Sequence, residues 1–178
     1  TRLLSLLLDF EQVLDEAEDL IMQFAQLDYP LLDFSPNQLC LSTGADYSVW
    51  EGRTTSNKSI NFEPGDYQNY IKEEINYGSS AKYAKVGAEG FLVGALSRVN
   101  LLAKFLNPKA KKALEQSGIA MPLANPFLNN FAQSVEVLHF LEEILKILYL
   151  LSKQDDLWQE EILTSVKNQT GEGAAAIE

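Results

Sequence analysis

Residues 127–151 read FLNNFAQSVEVLHFLEEILKILYLL, and their spacing predicts one long helix. Phe131, Val135, Leu138, Leu141, Leu145 and Leu148 form one apolar stripe; Phe140, Ile144, Ile147 and Leu151 form a second. From Ile144 onward only Lys146 interrupts the apolar run, so this end is apolar nearly all round. Such a helix is buried on more than one side and demands partners. A second long helix is expected over residues 3–27, where Leu3, Leu7, Phe10, Leu14, Ala17, Ile21 and Phe24 alternate in steps of three and four. Its opposite face carries Asp9, Glu11, Asp15, Glu16, Glu18 and Asp19. Like charges at that spacing repel, so packing must hold the helix, and Pro30 closes it. The two long helices are expected to pack on each other as the core.

Between them the character changes. Gln38–Ser42, Tyr47–Glu51 and Ser59–Phe62 are short and β-prone, separated by turn-rich stretches, and read as a small antiparallel meander. Pro64-Gly65-Asp66 is a turn, with Asp66 placed to cap a helix from Tyr67 to about Tyr77. Gly78–Gly90 is polar and irregular. A helix is expected from Val93 or Gly94 to Leu106, then another from Asn107-Pro108 to about Gln116, ended by Gly118. Residues 119–126 hold two prolines and read as a loop. A short helix is expected near Asp155–Leu163, followed by an extended tail. The fold class is therefore α+β and predominantly helical: a long helix over 1–30, a β meander over 38–62, a helical part over 66–163 and a tail over 164–178, without a second domain boundary.

The 178 residues are enough for a packed core. Apolar residues make up 46%, which excludes a disordered chain. Net charge is −11, so long-range electrostatics oppose nucleic acid and anionic membranes. No apolar run approaches the ~20 residues of a membrane span, and Asp9 and Glu11 follow the leucines at the N-terminus too soon for a signal peptide. One cysteine, Cys40, rules out an internal disulfide and any Cys-x-x-Cys site within this sequence. The lack of a disulfide fits a cytoplasmic location.

Residues with chemical potential are few. His139 is the one histidine; between Leu138 and Phe140, far from Cys40, it reads as structural. Glu142-Glu143 and Glu160-Glu161 are neighbours on helices, pointing about 100° apart, so neither pair converges on one ion. They read as a solvated face, and Asp155-Asp156 as a helix cap. Glu172 and Glu178 lie in the tail. Gly87-Ala88-Glu89-Gly90 with Gly94 matches neither phosphate-binding glycine pattern. Cys40, flanked by Leu39 and Leu41, reads as an inert buried thiol. The expected catalytic, cofactor-binding and metal-ligating residues of this chain are none.

The stretch Gly90–Asn100, GFLVGALSRVN, resembles the Y-x-VGPLAR-x-N segment in the large subunit of nickel–iron hydrogenases, in their soluble, cofactor-coupled branch. Other parts come in that family's order: a long helix, a W-x-x-G-like element at Trp50-Glu51-Gly52-Arg53, and an aspartate-led acidic segment at Asp66–Tyr70. Then come the approach Ser79–Tyr83, a long apolar helix, and a G-x-G-x-x-x-x-E segment at Gly171–Glu178. Arg98 and Asn100 match; the family's proline is Ala95 here and its alanine is Ser97. The family's two C-x-x-C pairs are absent, so no nickel or iron ligand carries over to any residue. The chain opens on Thr1 and closes just before the family's A-P-R-G, so an excised middle segment is expected. The resemblance implies a parent that oxidises or evolves dihydrogen at a nickel–iron centre and passes electrons to an iron–sulfur small subunit. Arg98 follows the Gly94 turn on a helix whose other face, Leu96, Val99 and Leu102, is apolar, so it is expected to be structural, paired with a carboxylate or with helix-terminal carbonyls. The isolated fragment, with part of its all-round apolar helix bare, is expected to form a homodimer. The alternative is a non-catalytic helical interaction module on a related scaffold.

Overall fold

The computed structural model describes residues 2–32 and 36–153. Helix α1, Arg2–Ala25, buries Leu14, Ala17 and Ile21 and turns its carboxylates to solvent. It stops before the proline, at a turn in which the Tyr29 hydroxyl donates to the Phe24 carbonyl at 2.8 Å. Strands β1 (Asn37–Ser42), β2 (Arg53–Ser56) and β3 (Asn61–Phe62) follow. A turn of 3-10 helix at Pro64–Asp66 leads into α2, Tyr67–Tyr70. Strands β4 (Ile71–Ile75), β5 (Lys82–Val86) and β6 (Phe91–Leu92) come next. The rest is helical: α3 (Ala95–Leu102), a 3-10 turn at Ala103–Phe105, α4 (Pro108–Gln116), a 3-10 turn at Pro126–Leu128 and α5 (Asn129–Ser152).

Helix α5 is the axis of the core. Its Phe131, Ala132, Val135 and Leu138 have no solvent exposure. Helix α1 packs along it more extensively than any other element, as the two apolar stripes require, and α3 and α4 pack on its other sides. Val99, Leu102, Ala110, Ala113 and Leu123 complete this interior. Towards its C-terminal end α5 emerges: Ile147, Tyr149 and Leu150 are more than half exposed.

The β region departs from the meander expected. Its sheet runs β3-β2-β1-β6, antiparallel except where β6 joins β1 in parallel. Tyr47–Glu51 is not a strand; the strand is Arg53–Ser56, inside what read as a connector. Hydroxyls divert the chain there. Thr43 Oγ1 and Ser48 Oγ both donate to Asp46 Oδ1 at 2.6 Å, closing a compact loop that turns Tyr47 inward. Gly52 then passes Ser42 so closely that a Cβ would lie 2.4 Å from the Ser42 carbonyl carbon, at φ +111°. Only glycine permits that approach.

The helix expected from Tyr67 to Tyr77 ends at Tyr70, and the irregular stretch Gly78–Gly90 supplies β5. Ile71 and Ile75 satisfy helical spacing and strand alternation alike, so a segment this short is ambiguous by period. Pairing decides it: Ile71 lies opposite Val86, and Lys82–Glu73 (2.8 Å) and Lys85–Glu74 (2.6 Å) bridge the ribbon. Asp66 makes no side-chain cap. Helix α3 is shorter than expected because its end tightens into the 3-10 turn, whereas Gly118, at φ +73°, does lie just past α4. No helix among the described residues is long and apolar enough to cross a membrane. The helix expected near 155–163 and the tail over 164–178 lie outside the described residues.

Candidate functional site: a buried polar hub and an aromatic cleft

Helix α3 enters through Gly94, whose φ of +86° turns the chain from β6 into the helix. One turn on, Arg98 faces α5. Its Nε donates to Glu136 Oε1 at 2.6 Å and a terminal nitrogen donates to Oε2 at 2.9 Å. Both side chains are almost covered, at 12% and 9% exposure. A two-pronged guanidinium–carboxylate contact is the geometry that offsets the desolvation of such a pair. Tyr47, delivered by the hydroxyl-closed loop, donates to the same Oε1 at 2.7 Å. Burial first, then the neighbouring Glu136 charge and hydrogen bond, push the Tyr47 phenol far above its ordinary range. Three elements thus meet at one carboxylate.

A second knot sits one turn along α5. His139 lies 4.6 Å from the Tyr47 ring centre and 5.0 Å from that of Phe140. The Asn107 backbone N–H donates to His139 Nδ1 at 3.1 Å. Accepting at Nδ1 places any proton of a neutral ring on Nε2. Burial pushes the imidazole below its ordinary value; Glu143, Glu142 and Glu136 oppose that and Lys146 reinforces it. The Asn107 side chain does not cap α4. Its Nδ2 bonds the His139 carbonyl (3.0 Å) and Glu143 (2.6 Å), and its Oδ1 accepts from Lys146. Glu142 caps α4 instead, accepting from the Lys109 N–H at 3.1 Å and the Ala110 N–H at 3.0 Å.

Asn100 makes a third tie. Its Nδ2 donates to Gln38 Oε1 and to the Leu123 carbonyl, each at 2.9 Å, and its Oδ1 accepts from the Leu123 N–H at 2.6 Å. One side chain thereby joins α3 to β1 and to the loop before α5. Ser97 donates to the Leu92 carbonyl at 2.9 Å, binding α3 back to β6.

Between the 45–50 loop, the turn before α4 and α5 lies an open cleft of about 380 Å³. Tyr47, Trp50, Phe105, His139 and Phe140 wall it, with Asp46 and Glu143 among its lining. Burial would raise the Glu143 carboxyl, but hydrogen bonds from Lys146 and Asn107 outweigh it and hold the group below its ordinary value. Bonds from Ser48 and Thr43 lower Asp46 likewise.

The residues singled out in the sequence fall as follows. His139 is a buried structural residue that also faces the cleft. Arg98 pairs with a carboxylate, one of the two kinds of partner expected for it. Glu142 and Glu143 do point to different partners, but they are not a solvated face: one is a helix cap and the other half of the Asn107–Lys146 knot. Cys40 is buried in β1. The Gly87 stretch is a turn at the end of β5, with Val86 and Glu89 bridged to each other. Asp155, Asp156, Glu160, Glu161, Glu172 and Glu178 lie outside the described residues. Sequence reasoning missed Glu136, Tyr47 and Asn107. Glu136 carried a readable signal, an acid on the buried face between Val135 and Leu138, where a charge requires a partner.

A nickel–iron centre needs soft thiolate donors. The one cysteine is 1% exposed within a strand, and His139 Nδ1 is already an acceptor. Among the described residues no three His, Cys, Asp or Glu side chains converge as a metal site. This donor set does not fit the centre.

No family model matches the chain. It is 30% identical over 142 residues to the alpha subunit of sulfhydrogenase 1 from Pyrococcus furiosus, a match covering 79% of this chain and 33% of that protein. It is 31% identical over 127 residues to a component of the vhc F420-non-reducing hydrogenase of Methanococcus voltae, covering 66% of this chain and 26% of that protein. The chain is similar to hydrogenase subunits. The chain spans a third or less of the length of these hydrogenase relatives.

Proposed function

We propose that this chain is a structural middle segment of a nickel–iron hydrogenase large subunit of the soluble, cofactor-coupled branch. The whole protein would oxidise or evolve dihydrogen in the cytoplasm, with the metal ligands supplied by parts of the protein outside this sequence and with an iron–sulfur small subunit for its partner. The chain itself performs no catalysis. The observation that carries the reading is the use of Arg98 and Asn100. These two residues match the family element, and they tie α3 to α5, to β1 and to the Leu123 loop. An element whose polar residues tie α3 to its neighbouring helix, strands and loop suits a scaffold. The isolated chain, with Ile147, Tyr149 and Leu150 exposed at the end of α5, would pair with a second copy.

A non-catalytic helical interaction module on the same scaffold is the second reading, favoured by the lone, buried Cys40. Sequencing the reading frame on both sides, then measuring the nickel content and dihydrogen-dependent dye reduction of the whole product, separates the two. Flanking C-x-x-C pairs with nickel and activity are expected. A whole gene product lacking both pairs, nickel and activity would establish the module instead.

A further inference from the structure

We propose that residues 155–163 of this chain dock in a groove between α4 and the loop that follows it, with the Trp158 indole as the anchor. The groove holds about 230 Å³. Leu114, Ile119 and Met121 give it an apolar lining, and Lys104, Lys111 and Glu115 also line it. That volume is below the ~300–1,000 Å³ of small-molecule pockets and suits one large side chain. An indole is such a side chain, with much apolar area to bury.

Charge asks for an acidic occupant. The whole chain carries −11, yet between Glu89 and Glu115 it has no carboxylate and holds Arg98, Lys104, Lys109, Lys111 and Lys112. Arg98 is taken by Glu136, and Lys109 faces Asp15 at 3.9 Å. No carboxylate among the described residues pairs with Lys104, Lys111 or Lys112. Lys104 lies 4.5 Å from the centre of the Phe105 ring, a contact that leaves its charge in place. Residues 155–163, DDLWQEEIL, set Asp155, Asp156, Glu160 and Glu161 around Leu157, Trp158 and Ile162, with no basic residue among them. A small anion would answer the lysines and leave Ile119 and Met121 wet. An apolar segment without acids would strip water from the lysines and return no bond, which is costly.

The tether singles out this segment. Lys146 of α5 bonds Asn107, and Phe105 and Ile147 line one cleft, so the last turns of α5 run beside the residues that lead into α4. Lys153 lies about 10 Å beyond Lys146 along the helix axis. The chain from Lys153 to Trp158 spans up to ~17 Å, enough to come back past Lys146 to the Lys104 end of the groove. A tethered segment acts at a millimolar effective concentration, so weak, exposed ion pairs suffice to seat it. The proposal does not rest on the hydrogenase reading.

The test uses the full chain with Trp50→Phe, at a 71% exposed position, which leaves Trp158 as its one indole. Trp158 emission should lie to the blue of indole in water, and acrylamide should quench it weakly. Lys104→Glu and Lys111→Glu, both at exposed positions and with thermal melts unchanged, should each raise the quenching constant roughly threefold. Sodium chloride at about 0.5 M should raise it as well. Lys72→Glu, the same charge change on the β4–β5 ribbon, should leave it as it is. Water-like emission from the parent chain overturns the proposal. So does a quenching constant that neither groove reversal changes, or one that Lys72→Glu raises equally. The constant should also be independent of protein concentration; a fall on concentrating the protein would put the segment on a second copy and overturn docking within one chain.

Discussion

Glu136 holds Arg98 and Tyr47 at once, and its neighbour one turn on, His139, holds the backbone of Asn107. Arg98→Lys would keep the charge but lose the two-pronged contact. It should cost about 2 kcal/mol in urea unfolding. On the proposed hydrogenase reading, turnover of the whole protein per folded molecule should stay unchanged; a fall in turnover without a fall in stability would make Arg98 a positioning residue for the chemistry. His139 makes stability depend on pH. Burial lowers its pKa, partly opposed by Glu143, Glu142 and Glu136 and aided by Lys146. The unfolded imidazole takes its proton near pH ~6.5 and the folded one only at lower pH. The unfolded state therefore binds more protons in that window, and stability falls as pH drops through it. Thermal melts of His139→Gln should fall less steeply between about pH 7 and pH 5 than those of the parent chain. Equal slopes would mean that the ring titrates alike in both states.

Among the elements, α4 and the β1–β2 connection depend most on single side chains. The α4 N-terminus receives its cap from α5, through Glu142. Glu142→Ala should destabilise the chain by about 1 kcal/mol and speed amide exchange at Lys109 and Ala110 above all others in α4. Uniform exchange along the helix would show that the cap is dispensable. Gly52 and Gly44 both have positive φ, but only Gly52 has a wall beside it; nothing lies within 4 Å of a Cβ at Gly44. Gly52→Ala should therefore cost about 3 kcal/mol, against about 1 kcal/mol for Gly44→Ala. Paired chemical denaturation curves measure the difference. The ribbon β4–β5 illustrates the opposite dependence. Among the described residues its two strands form a sheet of their own, and it is held by cross-strand pairs that no reading of either strand alone reveals.

For the whole molecule, the interior stands on the contact between α1 and α5. Leu141→Asp, at an 8% exposed position within it, should bury an unpaired charge and abolish cooperative melting. A soluble variant with a sharp transition would show the face to be wrongly placed. At the far end of α5 the exposed Ile147, Tyr149 and Leu150 should drive the isolated chain into dimers at micromolar concentration. Light scattering should report a monomer for the double variant Ile147→Lys, Leu150→Lys, and an unchanged dimer would place the contact elsewhere. What the sequence by itself determined was the pair of long helices, the inward stripe of α1 and the first stripe of α5, the stop at Gly118, and a structural place for Arg98 with either a carboxylate or helix-terminal carbonyls for a partner. Those follow from local period, glycine geometry and the cost of burying a charge, which need no knowledge of distant residues. Only the tertiary structure decided which carboxylate, which strands and which cap. Glu136 lies 38 residues from Arg98 and 89 from Tyr47, and Glu142 caps a helix 32 to 33 residues away. The segment 71–75 is a strand because 82–86 lies beside it. Each of these choices is made by a partner brought near when the chain folds, and spacing along one segment carries no record of it.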